Sequence, residues 1–413
     1  MAKAVDVSDA RKPATGAVGD GPPTLIEAGF DRLHSIDILR ALAALAVVVY
    51  HARAEFWVGL RETYRVFGWH SLRPDIWLSY GSIVFSLGWL GVPIFFVLSG
   101  YCIHRSFATK LRHSPETRMV VASFYKRRFL RIYPVYVGAL LLTAIVDCFI
   151  TPEPTLSAWA NANLANLALN LLMAQELFVR TFGSNGVFWT LSIEFHLYLF
   201  YPLLFLVFRR YGPNRALAFA AGVSLLTAIL YSALDLSAVF VHATGGSPLF
   251  TSHLFLWTSG AYLAEIHAGR ATAPRGIVWH LAWPAALIAG ILLQEKGIYG
   301  WSPMFLAVGA SGLVSVAIPA IRYLCRRDTM IVRAFYLTGV ASYSLYATHV
   351  PVFQAIKAAT ADYRSMSVLW ALACSGAAIA FAFLFFHMVE RHTIRSPSRA
   401  QKTPDQPAGA PSP

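Results

Sequence analysis

The distribution of charge along the chain limits its fold more than any other feature. Ten segments carry almost no Asp, Glu, Lys or Arg: 36–54, 82–103, 129–150, 188–208, 215–234, 249–267, 276–293, 302–321, 334–356 and 367–389. Each has close to the ~20 residues that a helix needs to cross a bilayer. The whole chain is 56% hydrophobic and 13% charged, against about 25% charged in an average soluble domain. A disordered chain is excluded, and a soluble globular one has too little polar surface. Helix is the state for these segments, because an open strand cannot satisfy its backbone in lipid. A spanning barrel would alternate polar and apolar residues, and these runs are apolar on all sides. The expected fold is an all-α integral membrane protein, a bundle of about ten transmembrane helices.

The net charge of +13 reads as topology, not nucleic-acid binding, since no basic surface interleaved with aromatics accompanies it. With a cytoplasmic N-terminus and ten spans, 25 of the 34 Lys and Arg fall in inner loops and 8 in outer ones, with Arg40 inside the first span. Both termini are then cytoplasmic. An eleventh span at 155–178 would invert every later loop. Its asparagines, Asn161, Asn163, Asn166 and Asn170, suit an interfacial or re-entrant helix. Residues 1–32 have no leading apolar stretch, so no signal peptide is expected. They and the proline-rich tail 393–413 read as disordered cytoplasmic segments. Cys102, Cys148, Cys325 and Cys374 are scattered in or beside apolar runs and read as packing residues. The 13 histidines show no ligand spacing, so no metal is expected.

Polar groups inside spans are functional candidates, because hydrocarbon penalises them. In the first span Arg40 and His51 are eleven residues apart. Eleven steps of about 100° bring them to one face, about 16 Å apart along the axis. The fourth span carries Thr190, Glu194, Tyr198 and Tyr201 as one stripe, and the ninth carries Ser342, Tyr346 and His349. By helix direction and rise, His51, Glu194 and His349 all fall in the outer half of the bilayer, as a polar chamber would require. Lys126, Arg127, Arg128 and Arg131 sit at the inner mouth of the third span. Arg128 and Arg131 share a face there and suit a phosphate or pyrophosphate; ordinary positive-inside anchoring accounts for them equally well. Ser99, in Leu98-Ser-Gly-Tyr101, reads as helix packing.

Five motifs in order resemble the acyltransferase-3 family of bacterial membrane O-acyltransferases. They are Arg40-x10-His51, Gly91-Val-Pro-Ile-Phe-Phe-Val-Leu-Ser-Gly-Tyr101, Arg128-x2-Arg131, Phe188-Trp-Thr-Leu-Ser-Ile-Glu194 and Ser342-Tyr-Ser-Leu-Tyr-Ala-Thr-His349. The closing Val389-Glu-Arg391 also fits, although His392 follows where the family often has proline. The resemblance makes 33–392 an acyltransferase-3-like membrane domain. It implies that His51 is the catalytic histidine, Arg40 its partner, and Arg128 and Arg131 the contacts to an acyl-CoA donor, acetyl-CoA first among them. Glu194 and His349 match further motif positions, and Ser342, Tyr346 and Tyr198 would line the site. It also implies a bacterial inner-membrane location and a glycan or lipid-linked saccharide acceptor, with polysaccharide-assembly proteins as candidate partners. No cofactor is bound permanently. Many members carry an added soluble domain, which this chain is too short to hold. The membrane part is therefore expected to transfer the group itself or to work with partners.

The chemistry agrees. O-acylation needs a base for a hydroxyl proton, and imidazole serves near neutral pH. Glu194 could orient it, and Arg40 could stabilise an oxyanion or hold the donor. Two other readings stay open: acylation of a small product such as a macrolide, and a proton-coupled transporter. The transporter is weakened by the lack of an obvious repeat between the two halves.

Overall fold

The computed structural model describes residues 25–150, 163–175, 177, 179–235, 249–327 and 329–393. The expected disordered tail lies outside the described residues apart from Thr393, as do residues 1–24 of the N-terminal segment. Among the described residues the protein is helical, with two isolated bridges and no strand. The helices are α1 (Leu25–Phe56), α2 (Leu60–Phe67), α3 (Pro74–Gly81), α4 (Gly91–His113), α5 (Val121–Ile145), α6 (Leu164–Leu171) and α7 (Phe188–Tyr211). They continue as α8 (Pro213–Ala233), α9 (Leu254–His267), α10 (Ile277–Glu295), α11 (Ser302–Leu324), α12 (Met330–Val340), α13 (Ser342–Ala359) and α14 (Leu369–Met388).

Eight described helical segments are long and apolar enough to cross a membrane: 34–56, 74–113, 121–150, 188–211, 213–233, 277–295, 302–324 and 369–392. Two of the ten expected spans take another form. The 249–267 segment folds as a 3-10 turn followed by the 14-residue helix α9. The 334–356 segment is broken at Ala341, where α12 ends and α13 begins. The asparagine-rich segment forms the eight-residue helix α6, too short to span. Its asparagines tie the chain locally. Asn163 caps α6 through Asn166 N, and Asn170 donates to Arg180 O and accepts from Phe182 N. Residues 151–162 lie outside the described set.

The fold inverts the soluble pattern. Leu199, Leu203 and Leu206 of α7 and Ile277, Leu281 and Ile288 of α10 face outward, while His104, Glu265, His349 and Glu390 are fully buried. In lipid that is the favourable arrangement, since apolar faces cost nothing there and polar groups are satisfied only inside. Helix α1 runs through the centre and touches α4, α11, α12, α13 and α14.

Close approach is set by glycines. A Cβ on Gly100 of α4 would lie 1.9 Å from Trp257 O of α9, and one on Gly260 of α9 would lie 1.8 Å from Val97 O. The two helices therefore meet backbone to backbone, each glycine opposite the other's carbonyl. A Cβ on Gly88 or Gly91 would likewise lie 2.2 Å from Ala46 O or 2.3 Å from Ala43 O of α1. Because backbone cannot yield as a flexible side chain does, Gly100→Ala should push α4 from α9. A loss of at least about 1–3 kcal/mol is expected, read as a lower melting temperature and less monodisperse protein in detergent.

Candidate active site

Two chambers hold the expected site residues. The first, of about 150 Å³, is lined by Arg40, Arg128, Arg131, Glu194, Tyr198, Ser342 and Tyr346 among others. Seven of the nine residues that the resemblance assigns to the site thus converge from α1, α5, α7 and α13. The other two, His51 and His349, are hydrogen-bonded to each other, Nδ1 to Nε2, at 3.0 Å. His51 lines a second chamber of about 300 Å³. Val92 and Tyr346 line both chambers, so the two spaces are neighbours that share these side chains as walls. Arg40 and His51 open into different chambers, as their rise along one helix requires.

The histidine pair has a defined proton order. His349 is completely buried, and its Nδ1 faces the carbonyl oxygens of Tyr346 at 2.8 Å and Leu345 at 3.3 Å. A carbonyl accepts only, so His349 Nδ1 carries the hydrogen and the neutral ring leaves Nε2 as an acceptor. His51 must then donate from Nδ1, which leaves its own Nε2 with a free lone pair. Neutral His51 is held in the tautomer that a base acting through Nε2 requires.

Glu194 belongs to the arginine chamber. Its Oε1 accepts from Ser99 Oγ at 2.7 Å and from the Tyr198 hydroxyl. Ser99 Oγ also lies 3.0 Å from Tyr198 OH and accepts from Trp257 Nε1 at 3.2 Å. His349, not Glu194, is the group that touches His51. Ser99 is not a packing residue as its motif suggests: in Ser99-Gly100 the glycine does the packing and the serine turns into the polar cluster. Neighbouring residues on a helix point about 100° apart, and sequence alone does not say which face is polar. The hydroxyls of Thr190 and Tyr346 are 2.9 Å apart and join α7 to α13 beside the divide.

The arginines differ. Arg128 lies over the Phe124 ring, at 5.7 Å, and its buried Nε has no hydrogen-bond partner. Arg40 is 3.6 Å from Asp37. Arg131 pairs with Glu390 at 3.0 Å. Glu390 is fully buried, and its Oε2 also accepts from Ser344 N at 3.0 Å and Ser344 Oγ at 2.5 Å. It therefore anchors both Arg131 and the first turn of α13, the helix that carries Ser342, Tyr346 and His349. Val389-Glu-Arg391 by itself assigns Glu390 no role, because an acid among neighbouring charges carries no signal of burial. Among the described residues no group of three or more His, Cys, Asp or Glu is arranged to hold a metal.

Residues 33–387 match the acyltransferase domain family, and the chain belongs to it. It is similar to the peptidoglycan O-acetyltransferase OatA of Listeria monocytogenes, 25% identical over 77% of this chain and 49% of that protein. It is similar to Acyltransferase MdmB of Streptomyces mycarofaciens, 26% identical over 88% of both chains. The O-acetyltransferase OatA of Staphylococcus aureus is 22% identical over 78% of this chain and 50% of its own length. The chain thus spans about half the length of the OatA proteins it matches. No solved structure matches it.

Removing Glu390 leaves Arg131 unpaired and the Ser344 N–H unsatisfied. Glu390→Ala should cost about 3–5 kcal/mol, the range for breaking a buried pair from one side. A thermal-shift measurement in detergent checks this, and a melting temperature equal to the parent's would contradict the anchoring role.

Proposed function

We propose that this member of the acyltransferase family is a membrane O-acyltransferase. It would move an acyl group, acetyl in the first instance, from acyl-CoA to a hydroxyl of a sugar in a surface or exported glycan. The observation that carries this reading is the pairing of an arginine-lined chamber with a histidine of defined tautomer in a neighbouring chamber, the two sharing Val92 and Tyr346 as walls. Coenzyme A is a polyphosphate, and the unpartnered Arg128 Nε is the kind of buried donor that a phosphate satisfies. Arg40 lines the same chamber, which favours holding the donor over stabilising an oxyanion at His51. The pantetheine arm would pass Tyr346 to bring the thioester to His51, a path of about 15 Å by helix rise.

At the thioester, His51 Nε2 takes the proton of the acceptor hydroxyl as that oxygen attacks the carbonyl carbon. The carbon–sulfur bond breaks, and the departing sulfur takes the proton back from the imidazolium. In between, the charged ring donates to His349 Nε2, a charge-assisted bond stronger than the neutral one. His349 is a positioning residue. Tyr198 and Ser342 would shape the donor's route, and Glu194 would hold Ser99 and Tyr198 in place.

In the membrane, α9 with its preceding turn and the α12–α13 pair would complete ten spans. Both termini would be cytoplasmic, with the arginine chamber inward and His51 outward. The acyl group would then cross a bacterial inner membrane while the donor's phosphates stay inside. Polysaccharide-assembly proteins are the partners such a product implies.

The test uses purified protein in sealed vesicles of known orientation. Labelled acetyl-CoA is supplied only on the side of Arg128, and a saccharide acceptor only on the other. Labelled saccharide without donor leakage supports the reading. Transfer only when both substrates share a side would remove the through-membrane path and leave the acyltransferase reading standing. Absence of transfer in every arrangement would remove both.

Three substitutions separate the roles. His51→Ala should abolish transfer in protein that still inserts. His349→Ala should lower kcat by about 10- to 100-fold, within the range for general-base catalysis, with little change in donor affinity. Arg128→Ala should weaken donor binding about 10- to 100-fold, the value of one charge-assisted contact, and Arg128→Lys should restore only part of it. Unchanged acetyl-CoA affinity in Arg128→Ala would return this arginine to a topological role.

A further inference from the structure

A third cavity lies beside the His51 chamber, with a volume of about 330 Å³. A single water needs only about 10–15 Å³, so this space suits a ring-sized organic ligand, not an ion. It shares Trp89, Trp189 and Val92 with the His51 chamber, and Tyr50, the residue before His51, is part of its wall. The far wall comes from the α10–α11 turn, with Gln294, Glu295 and Tyr299. None of these residues takes part in the proton transfer described above.

The chemistry of the walls is specific. Tyr50, Trp89, Trp189 and Tyr299 supply aromatic rings, whose faces accept the C–H side of a pyranose. Gln294 offers both donors and acceptors, and Glu295 offers acceptors. Two further polar atoms are buried without a partner, the Trp89 Nε1 donor and His253 Nδ1. His253 is 5% exposed and is wedged between Phe96 and Trp189, ring centroids 5.1 and 5.9 Å away. Leaving such atoms unsatisfied costs about 1–3 kcal/mol each, and a ligand with hydroxyl groups answers both. Among the described residues no Lys or Arg lines the cavity, which disfavours a phosphate or other anion. An acyl chain would leave the polar atoms unmatched.

We propose that this cavity is an acceptor subsite, holding the sugar ring next to the one that presents its hydroxyl to His51. The proposal rests on the acyltransferase reading and adds to it an oligosaccharide acceptor, gripped at two successive rings. The shared Trp89 and Trp189 place the two rings' sites side by side.

Calorimetry on the full-length protein in nanodiscs tests it. The probes are tetramers of N-acetylglucosamine, glucose and galactose, with acetyl-CoA titrated in parallel. At least one tetramer should bind, and its monosaccharide should bind at least tenfold more weakly. Glu295→Gln, at the exposed end of α10, and Gln294→Leu, which keeps the bulk and removes the amide, should each weaken the tetramer at least tenfold. Acetyl-CoA binding should be unchanged in both, which also certifies that they are folded. The subsite is overturned if no tetramer binds, or if both variants bind it as the parent does. Those results with acetyl-CoA still bound would leave the acyltransferase reading intact. Failure of acetyl-CoA to bind the parent would remove that reading separately.

Discussion

Hydrocarbon offers no hydrogen bonds, and the rest of this structure answers that constraint. Polar side chains that water would satisfy in a soluble protein must find partners inside the bundle. They do so in short chains of contacts. His349 uses backbone carbonyls on one side and His51 on the other. Glu194 uses Ser99 and Tyr198. His104 joins Tyr201 to Glu265, which Arg270 meets from just beyond the end of α9. In the histidine pair the proton positions follow from the two backbone carbonyls that face His349 Nδ1. That order gives the histidine pair a direction and leaves one nitrogen of His51 free for chemistry.

The same constraint acts on the backbone. Where α4 crosses α9, Gly100 and Gly260 bring main chains into contact, which places Ser99 within reach of both Trp257 and Glu194. At the opposite side of the arginine chamber, Glu390 links the end of α14 to the start of α13 and to Arg131. Shape and polarity at the site therefore depend on groups distant from it in the chain. Residues 99, 194 and 257 form one cluster, and 131, 344 and 390 another.

Three cavities share Val92 on their walls. Under the proposed function they would serve donor, chemistry and acceptor in turn. A branched but compact side chain at that junction lets three spaces approach without merging. Tyr346 adds a second boundary between the arginine chamber and His51, and its hydroxyl is held by Thr190. Under the same reading, a motion of that side chain would open the way for a thin pantetheine arm.

Much of this was legible in sequence because it is periodic. Uncharged runs of helix length determined the helical class, and the eleven-residue spacing determined that Arg40 and His51 share a face. The i, i+4 stripes identified Glu194, Tyr198 and Tyr346 before any contact was known. Other features depend on distances between helices, about which spacing along one helix says nothing. Only the tertiary structure decided that His349 is the neighbour of His51, that Glu194 bonds to Ser99, and that Glu390 is a buried anchor. The break at Ala341 and the shortness of α9 were likewise hidden, since an apolar run looks the same whether or not its helix is interrupted. Hydrophobic period records which residues avoid water. The partner each polar group finds is settled by packing, where a glycine or a single turn of helix moves it several ångströms.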